Sequence, residues 1–479
     1  MLTDELIRQI LQDFHHTPTR EQHHALSVFA TFMTSRDDQA VMLLRGSAGT
    51  GKSSLAGAIV KTLVRLQQKV VLLAPTGRAA KVFAQKAGHE ASTIHRKIYR
   101  QRSLDGGFDL NANLHHHTLF LVDEASMIAN DYRETTFGSG CLLNDLIRYV
   151  YAPDHHCRMM LIGDEAQLPP VGESQSPALQ PIVLENYGLN VCACDMNEVL
   201  RQSQESGILF HATRIREVLR LTSPSSRLPL PKVSFAGFPD IQNVPGDELI
   251  EALNTSYGEV GIDETFVITR SNKRANIYNQ GIRNTILGRE DELCRGDMLM
   301  VVKNHYSPTP PASSPDTATW DGSFIANGDR ARVQRVRQVR ELYGFRFADV
   351  WLQFPDYNEL ELQTTIILDS LTSEAPALTH EQNEALFQAV MEDYADMPRK
   401  ADRLKALKAD THFNALQVKY AYAATGHKAQ GGQWAHVYID QGYMTDDMLT
   451  PDYIRWLYTA FTRATEKLFL VNWPKTQTE

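Results

Sequence analysis

One short loop constrains the fold of this chain more than any other part of its sequence. The loop consists of Gly46, Ser47, Ala48, Gly49, Thr50, Gly51, Lys52 and Ser53. An apolar run at residues 40–44 precedes it, and a helix-forming stretch at residues 54–60 follows it. Glycines in this setting let successive backbone N–H groups surround a phosphate, and the helix N-terminus adds positive potential. The loop therefore predicts a P-loop domain in which these eight residues bind ATP.

Two carboxylates follow another apolar run and extend the predicted nucleotide site. The run at residues 118–122 ends in Asp123 and Glu124. Asp123 is suited to hold Mg²⁺ together with Ser53, and Glu124 is suited to polarise the attacking water. Lys52 is expected to reach the β- and γ-phosphates. ATP and Mg²⁺ are therefore the expected cofactors.

Strand-like runs alternate with helical patterns in two parts of the chain, and a segment with a different pattern of residue types lies between these parts. In the first part these runs lie at residues 40–44, 70–74, 118–122 and 158–162. A second group comprises residues 264–268, 436–440 and 467–472, with a helix at 452–462. Alternation of this kind is typical of parallel α/β sheets, whose active loops lie at the strand C-termini.

The intervening residues, about 300–415, have a different pattern. Residues 307–315 are rich in Pro and Ser and predict a loop. Residues 330–368 alternate apolar and polar side chains, which indicates short antiparallel strands and a small barrel. Residues 379–409 are charged and have helical spacing, so a helical pair is expected there.

Composition sets broad limits. A chain of 479 residues with 43% hydrophobic composition predicts about two to four domains. It contains no apolar run of about eighteen residues and no signal-like start, so we expect no membrane span and, by default, a cytoplasmic location. Five cysteines without a CxxC pair make a structural zinc site improbable. The net charge of −9 argues mildly against nucleic acid, although a local basic groove would suffice.

Two segments after the predicted strands resemble a known family. Asp123-Glu124-Ala125-Ser126 follows one strand, and residues 161–170, with Gly163-Asp164-Glu165-Ala166-Gln167, span the end of another. They resemble motifs II and III of superfamily 1 helicases, more narrowly of the RecD/Dda/Pif-like group. Further motifs follow in the family's order, from Gln22 to Arg463.

The resemblance implies two RecA-like P-loop domains with parallel sheets, a small wedge insertion and an SH3-like β-barrel insertion. Residues 1–205 would form the first RecA-like domain, with the wedge at about 97–117. Residues 206–302 and 415–479 would form the second, and residues 303–414 the barrel domain. Asp105-Gly106-Gly107 is a suitable hairpin turn for the wedge, but a surface hairpin with no role in strand separation fits equally well.

The resemblance also implies roles around the nucleotide. Gln22 would read the adenine edge, since an amide both donates and accepts hydrogen bonds. Gln167 would couple the γ-phosphate to the DNA site, and Gly431 would face the nucleotide. Arg201 and Arg463 would offset charge in the transition state. The alternative for either arginine alone is a surface ion pair.

A third implication concerns single-stranded DNA. The residues that match the family's strand-contacting motifs are Pro75, Thr76, Gly77, His95, Thr425, His427 and Lys428. Their hydroxyl, backbone N–H, imidazole and ammonium groups suit phosphate contacts, which position a strand without reading its sequence. Many relatives have serine where Ala429 stands, which removes one hydroxyl contact. Histidine clusters at residues 15–16, 23–24, 115–117 and 155–156 are more typical of surface loops than of metal sites.

The sequence thus predicts an ATP- and Mg²⁺-dependent DNA helicase that moves along single-stranded DNA and unwinds duplex junctions. The resemblance implies 5′→3′ movement, and a monomer is expected; protein partners and the biological pathway stay open. Two alternatives are a translocase that does not unwind and a P-loop regulatory protein that binds nucleotide and a protein partner. RNA as the bound strand is a weaker alternative, and nothing in the sequence would reveal a 2′-hydroxyl contact.

Overall fold

The computed structural model describes residues 2–101, 108–132, 138–198, 206–221, 228–306 and 324–479. The chain forms two compact units. The first consists of Met1–Arg100, Leu110–Ile268 and Ala429–Glu479, and the second of Gln101–Asp109 and Thr269–Lys428.

The helices and strands are numbered in chain order. The helices are α1 (Leu2–Phe14), α2 (Arg20–Thr34), α3 (Lys52–Arg65), α4 (Gly77–Ala87), α5 (Ile94–Ile98), α6 (Leu142–Val150), α7 (Pro181–Asn186), α8 (Gly207–Leu221), α9 (Leu249–Glu259), α10 (Asn272–Gly281), α11 (His380–Asp393), α12 (Lys400–Ala409), α13 (Gly426–Ala429) and α14 (Pro451–Phe461). The strands are β1 (Ala40–Gly46), β2 (Lys69–Ala74), β3 (Ala91–Thr93), β4 (Tyr99–Gln101), β5 (Phe108–Leu110), β6 (Thr118–Val122), β7 (Arg158–Gly163), β8 (Asn190–Met196), β9 (Ile241–Val244), β10 (Thr265–Thr269), β11 (Met298–Val301), β12 (His305–Tyr306), β13 (Phe324–Ile325), β14 (Arg330–Leu342), β15 (Phe345–Phe354), β16 (Leu360–Ile367), β17 (Leu416–Tyr420), β18 (Ala423–Thr425), β19 (Trp434–Asp440) and β20 (Ala464–Val471).

The first unit contains a six-stranded parallel sheet with the order β3-β2-β6-β7-β1-β8. The four strands predicted in the first part of the chain are β1, β2, β6 and β7, and each matches its prediction to within two residues. Their apolar runs are buried because helices cover the sheet. The sequence did not predict the edge strands β3 and β8. Strand β3 is only three residues long, and β8 mixes Cys, Asp and Asn with apolar residues.

Helices α1, α2 and α3 pack on this sheet and form its main core. Ile10, Phe29 and Phe32 are buried there with Ile59 and strand residue Met42. Helix α1 is amphipathic, and its apolar side faces this core. The core holds β1 and α3 in place, and so fixes the ends of the loop between them.

A second sheet in the first unit contains β10, β19, β20 and β9 in that order. The pairs β19–β20 and β20–β9 are parallel. Trp434 stacks on Phe266 with ring centroids 4.2 Å apart, and Tyr438 stacks on Phe469 at 4.4 Å. The predicted strands at 264–268, 436–440 and 467–472 are therefore present, as is the helix at 452–462, which is α14.

The second unit contains a closed barrel with the strand order β11-β14-β15-β16-β17. The antiparallel strands expected within residues 330–368 are β14, β15 and β16, and they are longer than predicted. The predicted helical pair is α11 and α12, whose Leu386, Val390 and Leu407 pack against Phe347 of the barrel. Strands β11 and β17 lie outside the range 303–414 predicted for the barrel domain. The domain boundaries given above stay a prediction.

Some predictions fall on residues outside the described ranges, namely the hairpin turn at residues 105–107, the loop at 307–315 and Arg201. The flanking strands β4 and β5 of the predicted wedge are present. Among the described residues, no group of three or more His, Cys, Asp and Glu has the geometry of a metal site. No helix in the described ranges is both long and apolar enough to cross a membrane.

Candidate nucleotide-binding site

A cavity of about 490 Å³ lies in the first unit beside the loop that follows β1. Most residues predicted to contact the nucleotide or its metal line this cavity. They are Ser47, Ala48, Gly49, Gly51, Lys52, Ser53, Asp123, Glu124, Gln167, Gly431 and Arg463. Because the carboxyl ends of parallel strands meet at one edge of a sheet, residues far apart in sequence converge here.

The loop has the backbone shape that wraps an anion. Gly51 has a φ of 84°, in the left-handed region that a side chain disfavours, and α3 begins at the next residue. The N-cap residue of α3 is Gly51, which has no side chain to cap the first turn of the helix. The first backbone N–H groups of this helix are therefore suited to accept a phosphate as their partner.

The ammonium group of Lys52 is held by the loop itself. Its Nζ donates hydrogen bonds to the carbonyl oxygens of Gly46 and Ser47 at 2.7 and 2.8 Å. Burial lowers the pKa of Lys52, while the carboxylates of Asp164 and Asp123 act in the opposite direction. A phosphate that enters the cavity would have to replace these two carbonyl contacts of the ammonium group.

The two carboxylates after β6 differ in their surroundings. The backbone N–H of Glu124 donates to Asp123 Oδ1 at 2.9 Å, and Glu124 has a φ of 52°. Such a left-handed backbone is costly for a residue with a side chain and often occurs at functional sites. Burial and the neighbouring Glu124 raise the pKa of Asp123 to about 6. The Asp123 carboxylate and the Ser53 hydroxyl are oxygen donors that fit Mg²⁺, which usually keeps waters and phosphate oxygens as its other ligands.

Arg463 approaches the same carboxylates from the element that follows α14. Its guanidinium is buried and lies 3.9 Å from Glu124 Oε1. It also donates to the carbonyl oxygens of Thr459 and Gly432 at 3.1 and 3.2 Å, which hold the side chain in place. Gln167 is buried nearby, and its Oε1 has no hydrogen-bond partner among the described residues. A donor group of a ligand in the cavity would satisfy this oxygen.

Tyr458 of α14 is a site residue that sequence reasoning missed. Its hydroxyl donates to Asp164 Oδ2 at 2.5 Å and accepts a hydrogen bond from the backbone N–H of Ala48 at 3.0 Å. The next residue, Thr459, accepts a hydrogen bond from the backbone N–H of Leu168 at 2.9 Å. Burial raises the pKa of Tyr458, so its hydroxyl remains protonated. These contacts join α14 to the P-loop and to the segment after β7.

Two family models match this chain in the parts that form the cavity. Residues 19–217 match the model of an AAA domain, and residues 420–471 match that of a UvrD-like helicase C-terminal domain. The first range contains the P-loop, Asp123 and Glu124, and the second contains Gly431 and Arg463.

Two curated relatives agree with these matches. The ATP-dependent RecD2 DNA helicase of Deinococcus radiodurans is 33% identical over 137 residues, which cover 27% of this chain and 16% of that protein. The ATP-dependent DNA helicase dda of Enterobacteria phage T4 is 24% identical over 271 residues, which cover 54% of this chain and 55% of that protein. The chain thus spans well under two thirds of either relative. A structure of two Pif1 helicases at forked DNA aligns with a TM-score of 0.48 and 15% identity over 97% of this chain and 94% of that one.

By these matches, the chain resembles the RecD/Dda/Pif-like group of superfamily 1 helicases. The expected adenine reader, Gln22, has both ends of its amide engaged. Its Nε2 donates to the carbonyl oxygen of Thr50 at 2.9 Å, and its Oε1 accepts from the N–H of Thr19 at 3.0 Å. Gln22 is buried and does not line the cavity, so an adenine contact would require these bonds to rearrange.

The residues expected to contact DNA lie in both units. Pro75, Thr76, Gly77 and His95 belong to the first, and Thr425, His427 and Lys428 to the second. In the first unit, the Thr76 hydroxyl caps α4 by accepting from the N–H of Ala79 at 3.2 Å, which leaves its own proton available to a phosphate. Burial lowers the pKa of His95 to about 4, so its imidazole is neutral at physiological pH.

In the second unit, Lys428 Nζ donates to Asn327 Oδ1. Burial and the nearby Lys419 lower the pKa of Lys428 to about 8. Its ammonium group therefore stays mostly charged at neutral pH and can bind a phosphate.

Gly431, just beyond this segment and in the first unit, has a φ of 76° and lies against Thr76 and Ala79. A residue that lines the nucleotide cavity thus lies close to one of the residues predicted to bind DNA, since a Cβ built on Gly431 would be 3.2 Å from Thr76 Oγ1.

Proposed function

We propose that this chain is an ATP-dependent DNA helicase that translocates on single-stranded DNA and couples ATP hydrolysis to duplex unwinding. One observation carries the proposal: Arg463, which follows the helix of the second sheet, lies 3.9 Å from Glu124, which follows a strand of the first. A nucleotide in the cavity would touch elements of both sheets. Nucleotide-dependent closure between such elements is a general means of moving a bound strand.

The proposed chemistry assigns one task to each side chain. Glu124 accepts a proton from the water that attacks the γ-phosphorus, and the bond to the bridging oxygen breaks to give ADP and phosphate. Lys52 and Arg463 offset the negative charge that develops on the phosphoryl oxygens. Mg²⁺, held by Ser53 and Asp123, would neutralise charge on the β- and γ-phosphates. Gln167 would sense the γ-phosphate through the N–H₂ group of its amide, which donates hydrogen bonds, while its oxygen, unpartnered among the described residues, could accept one from the attacking water.

The contact between Gly431 and Thr76 suggests how nucleotide and strand could be coupled. Gly431 lines the nucleotide cavity, and a Cβ built on it would be 3.2 Å from Thr76 Oγ1. Thr76 is one of the proposed DNA contacts, together with Pro75, Gly77 and His95. A shift of Gly431 on nucleotide binding would therefore press directly on the proposed DNA site.

Single-stranded DNA and duplex junctions are the proposed partners, and 5′→3′ is the proposed polarity. The two curated relatives are named as ATP-dependent DNA helicases, which supports DNA as the strand. The polarity rests on the family resemblance. A monomeric state, a cytoplasmic location and the domain boundaries given above complete the proposal.

The proposal is tested by ATP hydrolysis in the presence of oligo-dT or oligo-U, followed by unwinding of duplexes with a 5′ or a 3′ tail. We expect oligo-dT to stimulate hydrolysis more than oligo-U, and only 5′-tailed duplexes to be unwound. Stimulation without unwinding of any forked duplex would identify a translocase. Hydrolysis that no oligonucleotide stimulates would point to a P-loop regulatory protein.

A further inference from the structure

A second cavity, of about 200 Å³, lies next to the nucleotide cavity in the first unit. The short segment after β7 separates the two. Asp164 and Gln167 line the nucleotide cavity, whereas Glu165 and Ala166 line the second cavity. A single stretch of backbone, residues 164–167, thus separates the second cavity from the candidate nucleotide cavity. We call this stretch the wall.

The second cavity is lined by three arginines. Arg216 and Arg220 lie one turn apart on α8, and Arg455 lies on α14. All three guanidinium groups carry a fixed positive charge at any physiological pH. The electrostatic effect of Arg216 reaches through the wall, since it contributes to lowering the pKa of Lys52 in the nucleotide site.

Few carboxylates among the described residues balance these charges. The only described carboxylate that lines the second cavity is Glu165, and its Oε1 already accepts hydrogen bonds from Arg45 and Gln180, each at 3.0 Å. Within the described ranges, Arg216 bonds only to the neutral amide oxygen of Asn197, at 2.8 Å.

The other two arginines are no better compensated. Among the described residues, the carboxylate near Arg455 is that of the exposed Asp452, at 3.7 Å. Arg220 has no carboxylate within 4.0 Å in the part of the chain that the structure describes. Within those residues, two of the three guanidinium groups around this small cavity therefore have no carboxylate partner, and the third has only a distant, exposed one.

Two buried polar atoms point to the same conclusion. Ser176 is 2% exposed, and its hydroxyl oxygen has no hydrogen-bond partner among the described residues. Nε of Arg455 is buried and equally unpartnered within those residues. Both side chains line the second cavity. Buried donors without a partner are rare in folded proteins and often mark the position of a bound ion or water.

We propose that the second cavity is a binding site for inorganic phosphate, which it receives as the product of hydrolysis in the neighbouring nucleotide cavity. The planar guanidinium group donates two parallel hydrogen bonds to phosphate oxygens, and a serine hydroxyl adds a third donor. A volume of about 200 Å³ holds a tetrahedral anion with a few waters but is below the roughly 300 Å³ at which organic-ligand sites begin. The source of the phosphate rests on the proposed ATPase function; the binding site itself does not.

Equilibrium dialysis of the full-length chain against radiolabelled inorganic phosphate tests this proposal, with and without saturating ADP to fill the nucleotide cavity. We expect one phosphate per chain to remain bound when ADP is saturating. Arg220→Gln combined with Arg455→Gln should weaken this binding by about tenfold for each arginine removed. Arg214→Gln is the matched control, because Arg214 lies on the same helix but pairs with Glu479 outside the second cavity.

Ser176→Ala provides a milder variant should the double substitution unfold the chain, and we expect it to weaken phosphate binding severalfold. Phosphate that binds only without ADP would belong to the P-loop and would overturn the proposal. Equal binding by the wild type and by the arginine and serine variants would also overturn it. Dialysis requires no turnover, so this result is independent of whether the chain hydrolyses ATP or unwinds DNA.

Discussion

The hydroxyl of Tyr458 donates a hydrogen bond to the carboxylate of Asp164, although 294 residues separate the two in sequence. The same hydroxyl accepts the backbone N–H of Ala48 in the P-loop. The Tyr458 side chain on α14 thereby links the P-loop, which would hold the phosphates, to the wall at residues 164–167. A change at the P-loop would consequently be transmitted to the helix that precedes Arg463.

Replacing Tyr458 with Phe removes both hydrogen bonds and keeps the ring. We expect the free energy of unfolding to fall by about 1–3 kcal/mol, because a buried carboxylate oxygen and a buried N–H lose their partner. The KM for ATP should also change, because the P-loop loses a support. Tyr453→Phe is the control: its hydroxyl, on the same helix, donates to Gln441 at 2.7 Å. If both variants lose stability but neither alters the KM, Tyr458 has no role in the nucleotide site.

Replacing Glu124 with Gln should preserve nucleotide and DNA binding while reducing kcat by a factor of 10² or more, on the order expected when a general base is lost. The amide keeps the size of the side chain but accepts a proton poorly. Single-turnover hydrolysis together with ATP binding by fluorescence would separate the two effects. Glu185→Gln, at an exposed position on α7, serves as the control. Turnover at the wild-type rate in Glu124→Gln would assign water activation to another group.

Replacing Gly431 with Ala should destabilise the chain by on the order of 1–2 kcal/mol. Its φ of 76° disfavours a side chain, and the new Cβ would meet Thr76 Oγ1 at 3.2 Å and Ala79 Cβ at 3.3 Å. Gly281→Ala is a useful contrast, since Gly281 has a φ of −58° and no atom within 4 Å of an added Cβ. That change should stabilise by about 0.4–1 kcal/mol. Equal melting temperatures for the two variants would show that the backbone at Gly431 is not constrained.

The raised pKa of Asp123 predicts a pH dependence of stability in the absence of nucleotide and Mg²⁺. Burial and Glu124 raise this pKa to about 6, compared with an ordinary value of 3.8. Between these two values the folded chain binds more protons than the unfolded chain, so this group's contribution is full below pH 3.8 and is lost as the pH rises through 6.

Asp123→Asn should therefore gain stability relative to the wild type as the pH rises from 4 to 8, by on the order of 1–3 kcal/mol. Urea unfolding at several pH values measures this, with the exposed Asp154→Asn as the control. A difference between wild type and Asp123→Asn that does not vary with pH would exclude a raised pKa.

The strands around the nucleotide cavity could be predicted because their signals are local. Apolar runs such as those of β1 and β6 end at a glycine-rich loop or at paired acids, and the fold places these strand ends at one edge of the sheet. Strands β11 and β17 were harder to predict. They close the barrel from segments more than 110 residues apart, and nothing in either segment reveals that pairing.

At the candidate site, too, the sequence predicts residues that belong to a local motif and misses those that only the packing of the fold brings together. Lys52, Glu124 and Arg463 lie together as the motifs suggested, whereas Tyr458 belongs to an aromatic stretch that reads as helix core. Its partners Ala48 and Asp164 are identified only by the packing of α14. Gln22, in contrast, was predicted to contact adenine because of its residue type. In the structure its amide is already hydrogen-bonded to Thr19 and Thr50. Likewise, Arg216, Arg220 and Arg455 form a cluster only in three dimensions.

The most direct test of the account is the unwinding of a forked DNA duplex with ATP and Mg²⁺, comparing the wild type with Lys52→Ala. Lys61→Ala, on the exposed side of α3, is the control. We expect the wild type and Lys61→Ala to separate the strands and Lys52→Ala to lose both unwinding and DNA-stimulated hydrolysis, because the buried ammonium at the P-loop is missing. Near-normal unwinding by Lys52→Ala would contradict the proposed site, and no unwinding by the wild type on any forked substrate would contradict the helicase function.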